Sequence, residues 1–156
     1  MSRMAQVLVL ARYEDEVMEP LTRDDESRTW RGRFERIPGW FIGGWYIEFF
    51  RERQRVGILK DLEALPWNQP ECVQVMLHDE DDDCFGLWMF REGKLVELPV
   101  PGTERFHTPA PPNQEYAPSP GHLFRTDVGH TWLPEQTPEE LREQTPEELR
   151  DPRPAW

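Results

Sequence analysis

Alternating hydrophobic and polar positions predict a β-sheet in the first part of this chain. Residues 6–13 are apolar at their centre, as in a strand covered on both faces. Residues 28–37 alternate between apolar and polar side chains, and residues 45–50 are rich in aromatic side chains. Both patterns are typical of strands that bury one face against a core.

The connection that follows is predicted to combine a strand with a short helix. Residues 56–59 are expected to return as a strand, and residues 61–65 to form a helix with Asp61 as its N-cap. One helix over residues 45–65 is the competing interpretation. Gly57 and the aromatic and β-branched content of the segment disfavour it.

Residues 71–99 predict three antiparallel strands joined by two turns. The first turn is acidic throughout, over residues 79–83, and the second is a tight turn at Glu92 and Gly93. The segment therefore joins a predicted core to a concentrated negative charge that the fold does not obviously require.

The register of these strands follows from the position of the first turn. If Asp81 lies at its tip, residues whose numbers sum to about 162 face each other. One face is then apolar throughout and is predicted to be buried: Val73, Val75, Leu77, Phe85, Leu87, Met89, Val96 and Leu98. Trp88 and Phe90 fall on the opposite face, which requires a partial cover.

The last third of the chain is rich in proline, with 12 of the 16 prolines between Pro99 and Pro154. Residues 101–121 show neither a strand nor a helix period, which favours an extended conformation. A tandem octapeptide follows, QTPEELRE and then QTPEELRD, over residues 136–151. Its two threonines are predicted N-caps, each followed by a proline at the first helical position: Thr137 with Pro138, and Thr145 with Pro146.

Together these patterns predict an α+β fold with an antiparallel or mixed sheet of about five to seven strands. One or two short helices accompany the sheet. Residues 1–100 are expected to form the sheet domain, and residues 101–156 an extended Pro-rich C-terminal arm. Aromatic residues are its expected anchors on the body or on a partner: Phe106, Tyr116, Phe124, Trp132 and Trp156.

The net charge of −12 is concentrated in one half of the chain. Residues 1–70 hold 12 acidic and 11 basic side chains, whereas residues 71–156 hold 18 acidic and 7 basic ones. A field of this sign repels nucleic-acid backbones and anionic membranes and speeds association with basic partners. Solubility alone is the competing explanation.

The chain is expected to be a cytoplasmic protein. No apolar run approaches the roughly 18 residues of a membrane span, and the first apolar run is too short for a secretory signal. In the predicted hairpin Cys72 and Cys84 lie roughly 20 Å apart along the ladder, which is too far for a disulfide. Free thiols fit a reducing compartment.

Metal and cofactor chemistry find little support in the sequence. Asp79, Asp81 and Asp83 alternate as at the start of a calcium loop, but Cys84 and Phe90 occupy the positions that require Gly and Glu. The histidines and cysteines lack the spacing of a zinc site. The nearest constellation is His122, Asp127 and His130, and no cofactor is predicted.

Seven arginines between Arg28 and Arg55 interleave with aromatic residues, which resembles a platform for single-stranded nucleic acid. Acidic neighbours bring this half of the chain close to neutrality. Ion pairing is therefore the preferred interpretation, and a nucleic-acid partner is not expected.

The leading functional hypothesis is a non-enzymatic acidic module that binds a basic protein, as inhibitors, immunity proteins and antitoxin-like blockers do. The predicted contact residues are the acidic turn and one aromatic anchor: Asp79, Glu80, Asp81, Asp82, Asp83 and Trp88. The first alternative is an assembly subunit whose C-terminal arm wraps a neighbouring chain or builds a homo-oligomer. The second is a small metal-dependent hydrolase that uses His122, Asp127 and His130.

Overall fold

The computed structural model describes residues 3–39, 43–51, 54–107, 119–128 and 135–156, which form an α+β fold. A six-stranded antiparallel sheet is accompanied by a two-stranded sheet and three short α-helices. The strands are β1 (Ala5–Leu10), β2 (Glu35–Arg36), β3 (Gly44–Phe49), β4 (Gln74–Asp79), β5 (Gly86–Arg91), β6 (Lys94–Leu98), β7 (Thr103–Phe106) and β8 (His122–Arg125). The α-helices are α1 (Asp15–Met18), α2 (Ile58–Ala64) and α3 (Pro138–Gln144).

The main sheet has the strand order β2-β3-β1-β4-β5-β6, so β1 lies between β3 and β4. The strands predicted over residues 6–13 and 45–50 are confirmed as β1 and β3, and the antiparallel meander predicted over residues 71–99 is confirmed as β4 to β6.

The described residues contain three α-helices, whereas one or two were expected. None of these helices is long and apolar enough to cross a membrane.

The segment predicted as a strand over residues 28–37 is mostly irregular. Only Glu35 and Arg36 pair with β3. Trp30 and Phe34 are nevertheless buried, with 1% of each exposed, and their rings meet edge to face. The alternation of apolar and polar residues therefore identified the side chains that enter the core, but it did not indicate a strand of that length.

The strand predicted over residues 56–59 is wrong, because α2 begins there. Gly57 precedes the helix at a φ of 100°, a left-handed conformation that favours glycine. Ile58, Leu59 and Leu62 then fall on one helical face and are buried. Asp61 lies inside the helix and is not its N-cap; its carboxylate accepts a hydrogen bond from Trp30 Nε1 at 2.7 Å.

The register predicted for β4 and β5 is wrong by one residue. Val75 pairs with Trp88 and Leu77 pairs with Gly86. Trp88 and Phe90 therefore join the buried face, whereas Leu87 and Met89 lie on the opposite, partly exposed face. The pairing of β5 with β6 across Glu92 and Gly93 is confirmed, from Arg91 with Lys94 to Leu87 with Leu98. The error in the predicted register is therefore confined to the turn between β4 and β5.

The main core lies on one face of the six-stranded sheet. Alternate residues of the strands pack there with α2, and Trp30 and Phe34 complete one side of it. Ala155 and Trp156 belong to the same cluster, with 0% and 4% exposed. The last residues of the sequence therefore pack into the core that holds Trp88 and Phe90.

A second layer, here called the C-terminal layer, consists of β7, β8 and residues 135–151, which include α3. It contradicts the absence of regular structure predicted for residues 101–121, because β7 lies within them. Phe106, Phe124 and Leu141 form its own small core. Residues 108–118 and 129–134, which include the predicted anchors Tyr116 and Trp132, lie outside the described residues.

The two octapeptides adopt different structures. Thr137 caps α3 through a reciprocal capping box with Glu140, as predicted. Thr145 does not cap a second helix: its hydroxyl donates to the Leu141 carbonyl oxygen at 2.7 Å. Thr145 is only 1% exposed at the end of α3, and the second copy forms a 3₁₀ turn, Glu147–Leu149.

Candidate functional site

The acidic turn between β4 and β5 is divided between buried and exposed carboxylates. Asp79 ends β4 on the buried face, opposite Ala5, and is 0% exposed. Its Oδ1 accepts from Arg3 Nε at 2.7 Å, and its Oδ2 accepts from Arg55 Nη1 at 2.6 Å. Two guanidinium groups thus compensate this buried carboxylate, which satisfies the requirement that a buried charge be paired.

Arg55 links this carboxylate to the end of the sequence. Its guanidinium lies 4.3 Å from the centre of the Trp156 ring, and its Nε donates to the Ala155 carbonyl oxygen at 3.2 Å. Arg153 adds a second tie, since it pairs with Glu63 at 2.6 Å. The C-terminal residues are therefore held by a buried cation–π contact and an ion pair as well as by apolar packing.

Asp82 and Asp83 hold strand β8. Asp82 Oδ1 accepts from the backbone N–H of Leu123 at 2.7 Å, and its Oδ2 accepts from that of Asp79 at 3.0 Å. Asp83 Oδ2 accepts from the backbone N–H of Arg125 at 2.7 Å. These bonds dock the C-terminal layer on the sheet. Burial raises the pKa of Asp82, and the positive charge of Arg105 opposes that rise.

The remaining acids of the turn face outward. Glu80 is exposed and accepts from the backbone N–H of Met4 at 2.5 Å. The side chain of Asp81 is 53% exposed and lies 3.3 Å from Arg3. Trp88, the predicted aromatic anchor, is only 1% exposed and its Nε1 has no hydrogen-bond partner among the described residues. Trp88, Asp79 and Asp82 are thus part of the interior and do not offer a contact surface.

The C-terminal layer carries a further acidic surface that the sequence analysis did not single out. Leu141 anchors α3 on Phe106 and Phe124, and the outer side of the segment is polar. Residues 135–151 contain seven acidic and two basic side chains. All seven acids are exposed: Glu135, Glu139, Glu140, Glu143, Glu147, Glu148 and Asp151. The paired glutamates of the TPEELR repeat were the feature of the sequence that could have identified this surface.

Strand β8 joins this surface to the acidic turn. Its backbone is bound by Asp82 and Asp83, and its Phe124 ring lies 5.3 Å from that of Phe106 in the small core beneath α3. The exposed acids of the turn and those of the C-terminal layer therefore belong to one firmly connected part of the molecule.

The residues of the predicted metal constellation have other contacts. His122 Nδ1 lies 3.4 Å from the Arg3 guanidinium, and its ring stacks on Phe124. Burial, and next the charge of Arg3, lowers the pKa of His122. Asp127 pairs with Arg125 at 2.6 Å. No group of three potential metal ligands occurs among the described residues, and His130 lies outside them.

The arginine-rich segment consists largely of ion pairs over a buried aromatic core. Arg33 lies 3.1 Å from Asp24, and Arg28 stacks on Trp30 at 4.5 Å. The aromatic rings of the supposed platform are mostly buried: Trp30, Phe34, Trp45 and Phe49. Bases would find no row of exposed rings on this part of the described chain.

Cys72 and Cys84 are both free thiols. Burial raises the pKa of Cys84, and the nearby carboxylates of Asp82 and Asp83 add to this effect. A raised pKa disfavours the reactive thiolate.

Comparisons of the chain with protein-family models, with curated proteins and with solved structures each find no match.

Proposed function

We propose that this chain is a non-enzymatic module that binds a basic protein through the acidic surface of its C-terminal layer, in the manner of an inhibitor or immunity protein. The observation that carries the proposal is the exposure of all seven acids between residues 135 and 151. Two arginines in the same segment leave a balance of −5. A one-signed surface of this kind accelerates encounter with a cationic partner and excludes anionic ones.

The contacts that hold the acidic surface in place support the same proposal. Leu141 fixes α3 on the layer beneath it, and the capping box of Thr137 and Glu140 defines where the helix begins. Asp82 and Asp83 tie that layer to the sheet. A surface ordered before binding loses less conformational entropy on association than a flexible tail.

Glu80 and Asp81 extend the negative field at the edge of the same region. Both face outward, whereas Asp79 and Asp82 are buried and make contacts inside the protein. The contribution of the turn to contacts with a partner is therefore assigned to Asp81 and to the partly exposed Asp83.

The test compares two variants that remove equal charge. The first replaces exposed acids of the C-terminal layer by glutamine and spares Glu140, which caps α3: Glu139, Glu143, Glu147 and Glu148. The control replaces exposed acids of the sheet domain: Glu16, Glu26, Glu71 and Glu92. Each immobilised protein is exposed to a lysate of the source cells, and retained proteins are identified by mass spectrometry.

We expect a basic protein that the wild type and the control retain and that the layer variant loses. Retention of the same protein by all three would show that it binds elsewhere. Capture of no basic protein by the wild type would refute the proposed function.

A further inference from the structure

The six-stranded sheet has an outer face, opposite the main core, with an apolar centre. The registers place its side chains in two adjoining rows that cross the strands. The apolar residues of these rows, here called the apolar band, are Leu8, Leu10, Tyr46, Met76, Leu87, Met89, Val96 and Leu98. The exposed side chain of Gln74 interrupts the second row between Leu10 and Met89. Each residue of the band is at least partly exposed, and none belongs to either buried cluster of the described residues.

Opposite charges border the band at the two ends of the strands that it crosses. Glu48 and Glu80 lie at one end, where they line a cleft of about 310 Å³ together with Met4 and Phe50. Met4 and Phe50 are 51% and 65% exposed. Arg91 and Lys94 lie opposite each other in the register of β5 and β6 at the other end, and both are exposed. Arg91 Nη1 also donates to the Phe90 carbonyl oxygen at 3.0 Å, and Lys94 Nζ lies 3.6 Å from Glu63.

This arrangement is self-complementary about the row that contains Met76 and Leu87, which pair across β4 and β5. Glu80 lies four residues beyond Met76, just past the end of β4, and Arg91 lies four residues beyond Leu87 at the end of β5. Because β4 and β5 are antiparallel, the two charges stand on opposite sides of that row, each about 14 Å from it. A two-fold axis along the row would bring Glu80 of one copy over Arg91 of the other, twice.

We infer that two copies of this chain associate symmetrically through the outer faces of their main sheets. Face-to-face sheets pack about 10 Å apart through interdigitated apolar side chains, which the band supplies. The outer face covers roughly 500 Å² per copy at the usual spacing of strands and residues. A total of roughly 1,000 Å² is about the minimum expected of a biological interface, and an apolar centre with a charged rim is the usual composition of such interfaces.

Light scattering coupled to size exclusion tests the inference on the full chain. The wild type should elute with twice the mass of one 18.6 kDa chain at about 100 µM, a concentration that detects dissociation constants well into the micromolar range. Glu80→Lys and Arg91→Glu should each shift the protein toward the monomer, since each places like charges opposite one another in both halves of the interface.

Mixing the two variants distinguishes a lost interface from a lost fold. A Glu80→Lys chain facing an Arg91→Glu chain has opposite charges at both contacts, so the mixture should regain the dimer mass. The glutamine variant of the C-terminal layer is the matched control and should remain a dimer.

A wild type that stays monomeric at this concentration overturns the inference. A dimer that persists in both single variants, or variants whose mixture remains monomeric, would likewise exclude the outer face as the interface.

Discussion

Replacing Asp79 by asparagine should destabilise the protein strongly, because it removes the buried negative charge that both Arg3 and Arg55 contact. Asp79 is 0% exposed, and its oxygens lie 2.6 Å from atoms of both Arg3 and Arg55. Asparagine keeps the shape of the side chain but removes the buried negative charge between the two guanidinium groups. Breaking a buried ion pair from one side costs about 3 to 5 kcal/mol.

The effect is measured by urea unfolding followed by tryptophan fluorescence, which seven tryptophans make sensitive. A loss of that size corresponds to a fall in melting temperature of roughly 10 °C for a chain of this length. Asp81→Asn is the matched control: its carboxylate also contacts Arg3 but is 53% exposed. Solvent screening should hold its cost below about 1 kcal/mol.

Two results would refute this reasoning. A cost below about 1 kcal/mol for Asp79→Asn would mean that the pair of arginines does not depend on this carboxylate. Equal costs for Asp79→Asn and Asp81→Asn would mean that burial does not distinguish the two positions.

Two further predictions concern the contacts that hold the C-terminal residues. Trp156→Ala should lower the free energy of unfolding by about 3 to 5 kcal/mol, the usual cost of removing a buried aromatic ring, whereas an unchanged urea midpoint would show that the tail does not stabilise the sheet domain. Because burial raises the pKa of Asp82 in the folded protein, its contribution to stability is fully present below the unfolded pKa and is lost as pH rises through the folded pKa. The stability of the wild type relative to Asp82→Asn should therefore fall as pH rises above about 4, and a difference that grows with pH would contradict this sign.

Local signals predicted much of the sheet. The apolar centre of β1 and the aromatic pattern of β3 were sufficient to identify both strands. Glu92 and Gly93 form a tight turn with positive φ at both residues, so the pairing of β5 with β6 followed from the turn alone.

The register of β4 and β5 could not be predicted in the same way. Both faces of β5 are apolar, since Leu87 and Met89 alternate with Trp88 and Phe90, so the hydrophobic pattern fits either phase. The turn is shaped by contacts with β8, about 40 residues away in sequence, where Asp82 holds Leu123. Such long-range contacts leave no local signal.

One signal of the buried carboxylate was present in the sequence. Asp79 continues the alternation of Val73, Val75 and Leu77, all of which are buried, so its phase placed it on the inner face. The prediction instead assigned Asp79 to an exposed acidic turn, because all five residues of the turn are acidic. An acid in phase with a buried strand indicates an internal ion pair, here with Arg3 and Arg55.

The most direct test of the proposed function is the salt dependence of partner association. The association rate of the captured basic protein is measured at low and high salt with the wild type, the glutamine variant of the C-terminal layer and the equally charged control. We predict a steep fall in rate with salt for the wild type and the control, and a slower, flatter response for the layer variant. Equal rates and slopes for all three proteins would contradict the assignment of this surface to a partner.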